Sequence, residues 1–177
     1  TNAGAITYSG RGTNRKPSYT THETDDQGGI SFNMIYNDLS GNAGTNVSAV
    51  TDASSVTFDK TAPEASAAAI TSGNSNTSLA IVDDVVTVTF TANVPILQPV
   101  LTFLSGGEPV EDTSITYTSS DGGTTWTASY TATINDKEGP ISYSLIYKDL
   151  AGNEGRFASL TPSGSVNVSG AVSVNAP

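Results

Sequence analysis

The side chains best suited to chemistry lie in a short acidic turn that occurs twice, at residues 38–42 and 149–153. Each copy offers carboxylate and amide oxygens, the ligands that calcium prefers. Turn chemistry is the competing interpretation: Asp accepts backbone hydrogen bonds and Gly supplies a positive φ. One turn supplies few of the 6–8 oxygens that calcium takes, so we expect a turn, with neighbouring carboxylates completing any metal site. The candidate calcium ligands are Asp59, Asp38, Asp149, Asn42 and Asn153.

A second candidate is a basic cluster near the N-terminus. Arg11, Arg15 and Lys16 are three of the seven basic residues, on a chain whose net charge is −10. They lie in a predicted loop over residues 9–16. Such a cluster on an acidic protein suggests a contact surface for a ligand, with a glycan as one possibility.

Other reactive residue types favour structural interpretations. His22 is the only histidine, so a Ser-His-Asp arrangement would rest on one exposed loop. Trp126 could stack on a sugar, but its alternation with Tyr130 favours the core. Paired carboxylates for glycoside chemistry or ligand binding are conceivable, yet solvated loops or turns are the better interpretation of Glu108, Glu111, Asp112, Asp83 and Asp84. We therefore expect no catalytic residues.

Composition excludes several classes. The net charge of −10 disfavours nucleic acid as a partner. Cysteine is absent, which removes disulfides and thiolate metal sites. No apolar run approaches the ~18 residues of a membrane span. Asparagine sequons begin at Asn46, Asn76 and Asn167, and only the source could say whether they are glycosylated.

The most informative feature is an internal repeat. A shift of 111 positions aligns residues 18–44 with residues 129–155 without a gap, and 14 of the 27 positions are identical. The similarity extends with small gaps to residues 6–8 against 115–117, and to residues 56–63 against 172–177. Residues 1–62 are therefore predicted to be the C-terminal half of one repeat and 63–176 a complete repeat. Pro177 would open the next one, and we expect the chain to be a window on a longer array.

Alternating apolar residues predict the fold of the complete repeat. Apolar side chains recur at every second position in segments near residues 86–90, 101–103, 115–117, 126–130 and 141–147. Asp121-Gly122 predicts a hairpin turn. With further strands near residues 67–71 and 166–174, about seven strands are expected and essentially no helix. The prediction is an all-β, immunoglobulin-like antiparallel β-sandwich.

Three segments resemble the bacterial Ig-like (BIg-type) tandem repeats of large surface adhesins and extracellular fibre proteins. They are Tyr147–Asn153 with its copy Tyr36–Asn42, the joint Phe58–Pro63, and Asp83–Ala92. The resemblance implies a stalk or spacer role, with calcium at some domain joints. Asn175 stands where the first joint has Asp59, so a metal is not expected at the second joint.

Three functions remain open. The first is a non-catalytic stalk or filament module of a secreted or cell-surface protein, with neighbouring repeats or other fibre subunits as partners. The second is an adhesive module for a cell-surface or glycan target, and the third is an accessory domain of a secreted enzyme. We also expect Ile30 and Phe32, in the half-repeat, to be more exposed than the matching Ile141 and Tyr143.

Overall fold

The computed structural model describes residues 5–159 and 166–168. The chain divides into two compact units, Thr1–Lys60 (unit 1) and Thr61–Pro177 (unit 2), a division two residues before the sequence-predicted boundary. The described residues form strands and turns, and their one helical segment is the 3-10 turn Asp121–Gly123. The all-β, antiparallel prediction is confirmed. No helix in the described ranges is long and apolar enough to cross a bilayer.

Unit 1 contains little regular structure. Its strands are β1 (Thr7–Arg11), β2 (Asn14–Ser18), β3 (Gly28–Gly29) and β4 (Thr57–Phe58). β1 pairs with β2 as a hairpin, and β3 pairs with β4. The chain between β3 and β4 makes two isolated bridges, Met34 to Val47 and Asn37 to Ala43. None of the described residues 5–60 is buried.

Unit 2 forms two sheets. Its strands are β5 (Ala65–Ser72), β6 (Leu79–Ala80), β7 (Val85–Ala92), β8 (Val100–Ser105), β9 (Glu108–Pro109), β10 (Thr116–Ser120), β11 (Thr125–Thr131), β12 (Gly139–Lys148), β13 (Glu154–Ser159) and β14 (Asn167–Val168). One sheet has the order β10-β11-β7-β5. The other has the order β6-β14-β12-β8-β9, with β13 also paired to β12. All pairings are antiparallel except the short one between β14 and β6.

The two sheets of unit 2 share one apolar core, consistent with a β-sandwich. β7 alternates buried and more exposed residues along its whole length, as a strand with one covered face should. The rings of Phe103 on β8 and Tyr130 on β11 lie 4.6 Å apart, which joins the sheets. All ten predicted core residues are buried, namely Val86, Val88, Phe90, Leu101, Phe103, Trp126, Tyr130, Ile141, Tyr143 and Leu145.

The sequence predicted about seven strands in unit 2 and did not predict three that the structure contains, β6, β9 and β13. β6 and β9 are two residues long, too short to show alternation. β9 also contains Pro109, which is tolerated because β9 ends the sheet order. β13 pairs with β12, but its sequence does not alternate clearly. In the predicted strand over residues 166–174, Val166 and Val168 are buried; residues 169–174 and Pro177 lie outside the described residues.

Candidate functional site

The Asp149 turn is closed by hydrogen bonds to one carboxylate. Asp149 Oδ1 accepts from the backbone N–H groups of Gly152 and Asn153 at 2.7 and 2.9 Å, and Oδ2 accepts from Asn153 Nδ2 at 2.9 Å. Asp149 is 4% exposed. Burial raises the pKa of its carboxyl group, but these hydrogen bonds outweigh burial and hold the pKa below its usual value. Gly152, with φ of +97°, adopts the left-handed conformation that the turn requires.

The aligned turn of unit 1 repeats this pattern in solvent. Asp38 Oδ1 accepts from the backbone N–H groups of Ser40 and Asn42, both at 2.9 Å, and Oδ2 accepts from Asn42 Nδ2 at 2.8 Å. The Asn42 side chain, followed by the backbone N–H groups, lowers the pKa of Asp38. Asp38 and Asn42 are both exposed. The two bonds between the aspartate and the asparagine therefore form whether or not the surroundings of the turn are buried, while the third donor differs, Ser40 in unit 1 and Gly152 in unit 2.

This geometry does not by itself fit calcium. In each turn the carboxylate is directed at N–H donors, and calcium requires 6–8 oxygen ligands. Across residues 5–159 and 166–168, no three His, Cys, Asp or Glu side chains come together as a metal site. Asp59 directly follows β4 and is half-buried. Of the other candidates, Asp38 and Asn42 share its unit, whereas Asp149 and Asn153 belong to unit 2. Calcium binding at Asp59 stays a prediction.

A tyrosine packed against a glycine is the feature that sequence analysis missed. A Cβ on Gly155 would lie 2.5 Å from a ring carbon of Tyr147, and one on Gly44 would likewise clash with a ring carbon of Tyr36. In unit 2 the Tyr147 hydroxyl also accepts a hydrogen bond of 2.8 Å from the Ala65 backbone N–H. The sequence did contain a signal for this contact, because the tyrosine and the glycine are both identical in the two copies. That the two residues touch is visible only in the structure.

The basic cluster lies on a hairpin, which corrects the predicted loop over residues 9–16. Only Gly12 and Thr13 connect the paired strands. Arg11 pairs with Asn14, two positions before Lys16, so Arg11 and Lys16 share one face of the hairpin. Arg15 lies on the opposite face. All three are exposed, but the hairpin does not present them as one patch.

The structure places Trp126 in the core and His22 at the surface. Trp126 is 9% exposed, and its Nε1 donates to the Gly123 carbonyl at 2.9 Å, so it belongs to the core rather than to a sugar platform. His22 is exposed, with its ring centroid 6.3 Å from that of Tyr19. Its backbone N–H donates to Asp25 at 2.8 Å.

The remaining acidic candidates take part in separate local contacts. Glu108 forms an ion pair with Lys137 at 3.8 Å, and Glu111 accepts from Asn135. Asp112 accepts from the backbone N–H groups of Ser114 and Thr131, both at 2.9 Å.

Asp83 and Asp84 lie in the turn that precedes β7, as expected of a charged turn. Asp83 has a φ of +73°. Asp84 accepts from the backbone N–H of Ile81 at 2.8 Å and from Asn74 Nδ2 at 2.9 Å.

Two of the three asparagine sequons begin at exposed residues. Asn46 and Asn76 are exposed. The side chain of Asn167 lies outside the described residues.

No family model matches this chain, and no curated protein is significantly similar to it. The internal repeat and the geometry of the two units are therefore the observations that bear on function.

Proposed function

We propose that this chain is a non-catalytic structural segment of a secreted or cell-surface repeat protein. In this proposal immunoglobulin-like β-sandwich units follow one another as a stalk or filament, and neighbouring repeats or fibre subunits are the partners. In such arrays every repeat has the same fold, while the residues on its surface vary from one repeat to the next. The resemblance to the tandem repeats of bacterial surface adhesins supports the same role.

One observation carries the proposal: the identical positions of the repeat include residues that make the same structural contact in both copies. They are the Asp149 and Asn153 pair, with its copy Asp38 and Asn42, and the Tyr147 and Gly155 contact, with its copy in unit 1. The tryptophan and histidine candidates are not shared, since Trp126 aligns with Arg15 and His22 aligns with Thr133. The two copies have therefore kept these structural contacts in common.

Strand pairing supports the duplication. Thr7 pairs with Ser18 in unit 1, and the aligned Thr116 pairs with Ser129 in unit 2. The two hairpins differ only in the connection, which has two residues in unit 1 and four in unit 2. That difference accounts for the two-residue gap in the alignment. An extra pair of residues in a turn leaves the flanking register unchanged.

Pulling on the whole chain tests the structural role. A load-bearing unit 2 should unfold in one discrete step, and releasing the 117 residues from Thr61 to Pro177 should lengthen the chain by roughly 400 Å at ~3.5 Å per residue. Gradual extension without a discrete step would contradict the proposal. Antibody labelling of intact source cells tests the surface location, because an intracellular protein is labelled only after permeabilisation.

The exposed basic hairpin is the observation that favours the adhesive alternative. A glycan array probed with the chain, and with the variant Arg11→Ser/Arg15→Ser/Lys16→Ser, separates the two functions. The structural role predicts no binding by either chain. Binding by the unaltered chain that the triple variant loses would favour the adhesive module. An accessory role beside an enzyme predicts a catalytic domain in the same polypeptide.

A further inference from the structure

Unit 1 exposes a row of large apolar side chains. Ile30, Phe32, Met34 and Tyr36 occupy alternate positions after β3 and are 42–50% exposed. The aligned residues of unit 2, Ile141, Tyr143, Leu145 and Tyr147, are at most 4% exposed. Contiguous exposed apolar side chains mark interaction surfaces in soluble proteins. We call this row the unit 1 face.

Unit 2 shows which elements cover the matching residues. β8 pairs with β12 so that Phe103 lies opposite Tyr143 and Leu101 lies opposite Leu145. From the other sheet, Phe90 on β7 places its ring 6.3 Å from that of Tyr147. Phe103, Leu101 and Phe90 belong to β7 and β8, in the front half of the repeat, while Phe157 of β13, whose ring lies 6.3 Å from that of Tyr143, belongs to the back half. The similarity between the copies begins later, at Ile6 against Ile115.

The unit 1 face already has part of the geometry of a covered face. The Tyr36 ring lies over Gly44 just as the Tyr147 ring lies over Gly155. In unit 2 the hydroxyl of this tyrosine accepts from Ala65, two residues after Pro63 at the start of the front half. The Tyr36 hydroxyl of unit 1 is thus placed to accept the equivalent hydrogen bond from the backbone N–H of an added segment. The packing of its ring on Gly44 already fixes the orientation of the ring.

We propose that the unit 1 face is a strand-acceptor site, and that its occupant is the front half of a repeat resembling residues 63–109, joined to the N-terminal side of unit 1 in the same polypeptide. The added strands pair along the chain at Ile30–Tyr36, as β8 pairs with β12, and insert alternating apolar side chains against the face. Repeat order favours a covalent connection, because in unit 2 the front half precedes, in the same chain, the residues that align with unit 1. This inference rests on the duplication and holds for a stalk, an adhesin or an accessory domain equally.

A fusion protein tests the proposal directly. A second copy of residues 63–109 is placed immediately before Thr1, so that the full chain follows in repeat order. The backbone amides of Ser31, Asn33 and Ile35 align with Ser142, Ser144 and Ile146, which pair with β8, whereas the amides of Ile30 and Met34 already donate to Val56 and Val47. The amides of Ser31, Asn33 and Ile35 should then exchange at least about a hundredfold more slowly than in the unaltered chain, since they gain partners on the added strand. Fluorescence of Trp126, the only tryptophan, reports independently that unit 2 is folded.

The matched control carries Val86→Ser, Val88→Ser and Phe90→Ser in the added copy alone, leaving the native unit 2 intact. This control should not slow exchange. Unchanged exchange in the first fusion, or equal slowing in the control, overturns the proposal. Sedimentation of the unaltered chain covers a remaining alternative: a dimer with slow exchange at the same three amides would make a second copy the occupant, which also overturns it.

Discussion

The two copies of the repeat share a sequence over their aligned segment but not an environment. Ile141 is fully buried in unit 2, whereas the aligned Ile30 is 49% exposed in unit 1. Two side-chain hydrogen bonds of the Asp-Asn turns are the same in both units: the aspartate accepts from the backbone N–H and from the side-chain amide of the asparagine four residues later. These bonds join residues close in the chain and form in both settings, whereas burial of the aligned strand requires contacts with distant strands that unit 2 provides.

Tyr19 and Tyr130 show the same contrast at a single side chain. The Tyr19 hydroxyl donates to both carboxylate oxygens of Asp25, at 2.7 and 2.8 Å. The hydroxyl of the aligned Tyr130 is buried without a partner in the described structure, and burial raises its pKa. In unit 2 the aligned Asp136 accepts from the backbone N–H of Glu111 instead, and it keeps the bond from Thr133 that the aligned His22 makes to Asp25. In the covered strand of unit 2 the tyrosine ring therefore packs against Phe103, and its hydroxyl lacks the hydrogen bond to aspartate that Tyr19 makes in unit 1.

The largest expected effect comes from truncating the aligned isoleucines. Ile141→Ala should destabilise unit 2 by about 2–5 kcal/mol, because it leaves a cavity in a filled core. Ile30→Ala, the matched control, should change stability by no more than about 0.5 kcal/mol, since the side chain is half-exposed. Urea unfolding followed by Trp126 fluorescence and far-UV circular dichroism measures both. Equal losses in the two variants would show that the unit 1 face is covered in solution.

The aligned turn aspartates give the next effect. Asp149→Ala should cost unit 2 about 1–3 kcal/mol, because the hydrogen bonds to a buried, charged acceptor are lost. Asp38→Ala should instead speed amide exchange at Ser40 and Asn42 while leaving the Trp126 transition unchanged, since water replaces the carboxylate there. A comparable loss of unfolding free energy from Asp38→Ala would contradict the claim that the unit 1 turn is stabilised only locally.

A smaller, pH-dependent effect follows from the lowered pKa of Asp149. Its folded-state pKa lies below the usual value of 3.8, so the ionised carboxylate stabilises the fold above that pH. This contribution is lost as the pH falls from 3.8 through the lowered pKa. The melting temperature should therefore fall less steeply below pH ~4 in Asp149→Asn than in the unaltered chain. Parallel melting curves in the two proteins would exclude a role for this carboxylate in acid stability.

Calcium gives the smallest expected effect. The hypothesis of a site at Asp59 predicts a higher melting temperature in millimolar calcium than in chelator, through relief of repulsion on an acidic protein. The shift should vanish in Asp59→Asn and persist in Asp149→Asn, whose carboxylate already accepts three hydrogen bonds. Identical melting temperatures in calcium and chelator would reject the site.

Sequence alone determined the features that depend on neighbouring residues. The alternation of Val86, Val88 and Phe90 predicted a strand with one buried face, because side chains alternate across a strand. Asp121 and Gly122 predicted a hairpin turn and have φ of +54° and +67°, the left-handed values that such a turn needs. The internal repeat likewise predicted that Ile30 and Phe32 are more exposed than Ile141 and Tyr143, and their exposure agrees with that prediction.

Only the tertiary structure decided what depends on distant partners. β6, β9 and β13 exist because other strands offer them an edge, and such pairing leaves little trace in two to six residues. The separation of Arg15 from Arg11 and Lys16 follows from the register of the hairpin, since a change of one position moves a side chain to the other face. The packing of Tyr147 on Gly155, and the bond from Ala65 to its hydroxyl, join residues up to 82 positions apart. Contacts over such separations are set by how the sheets stack, which no local pattern encodes.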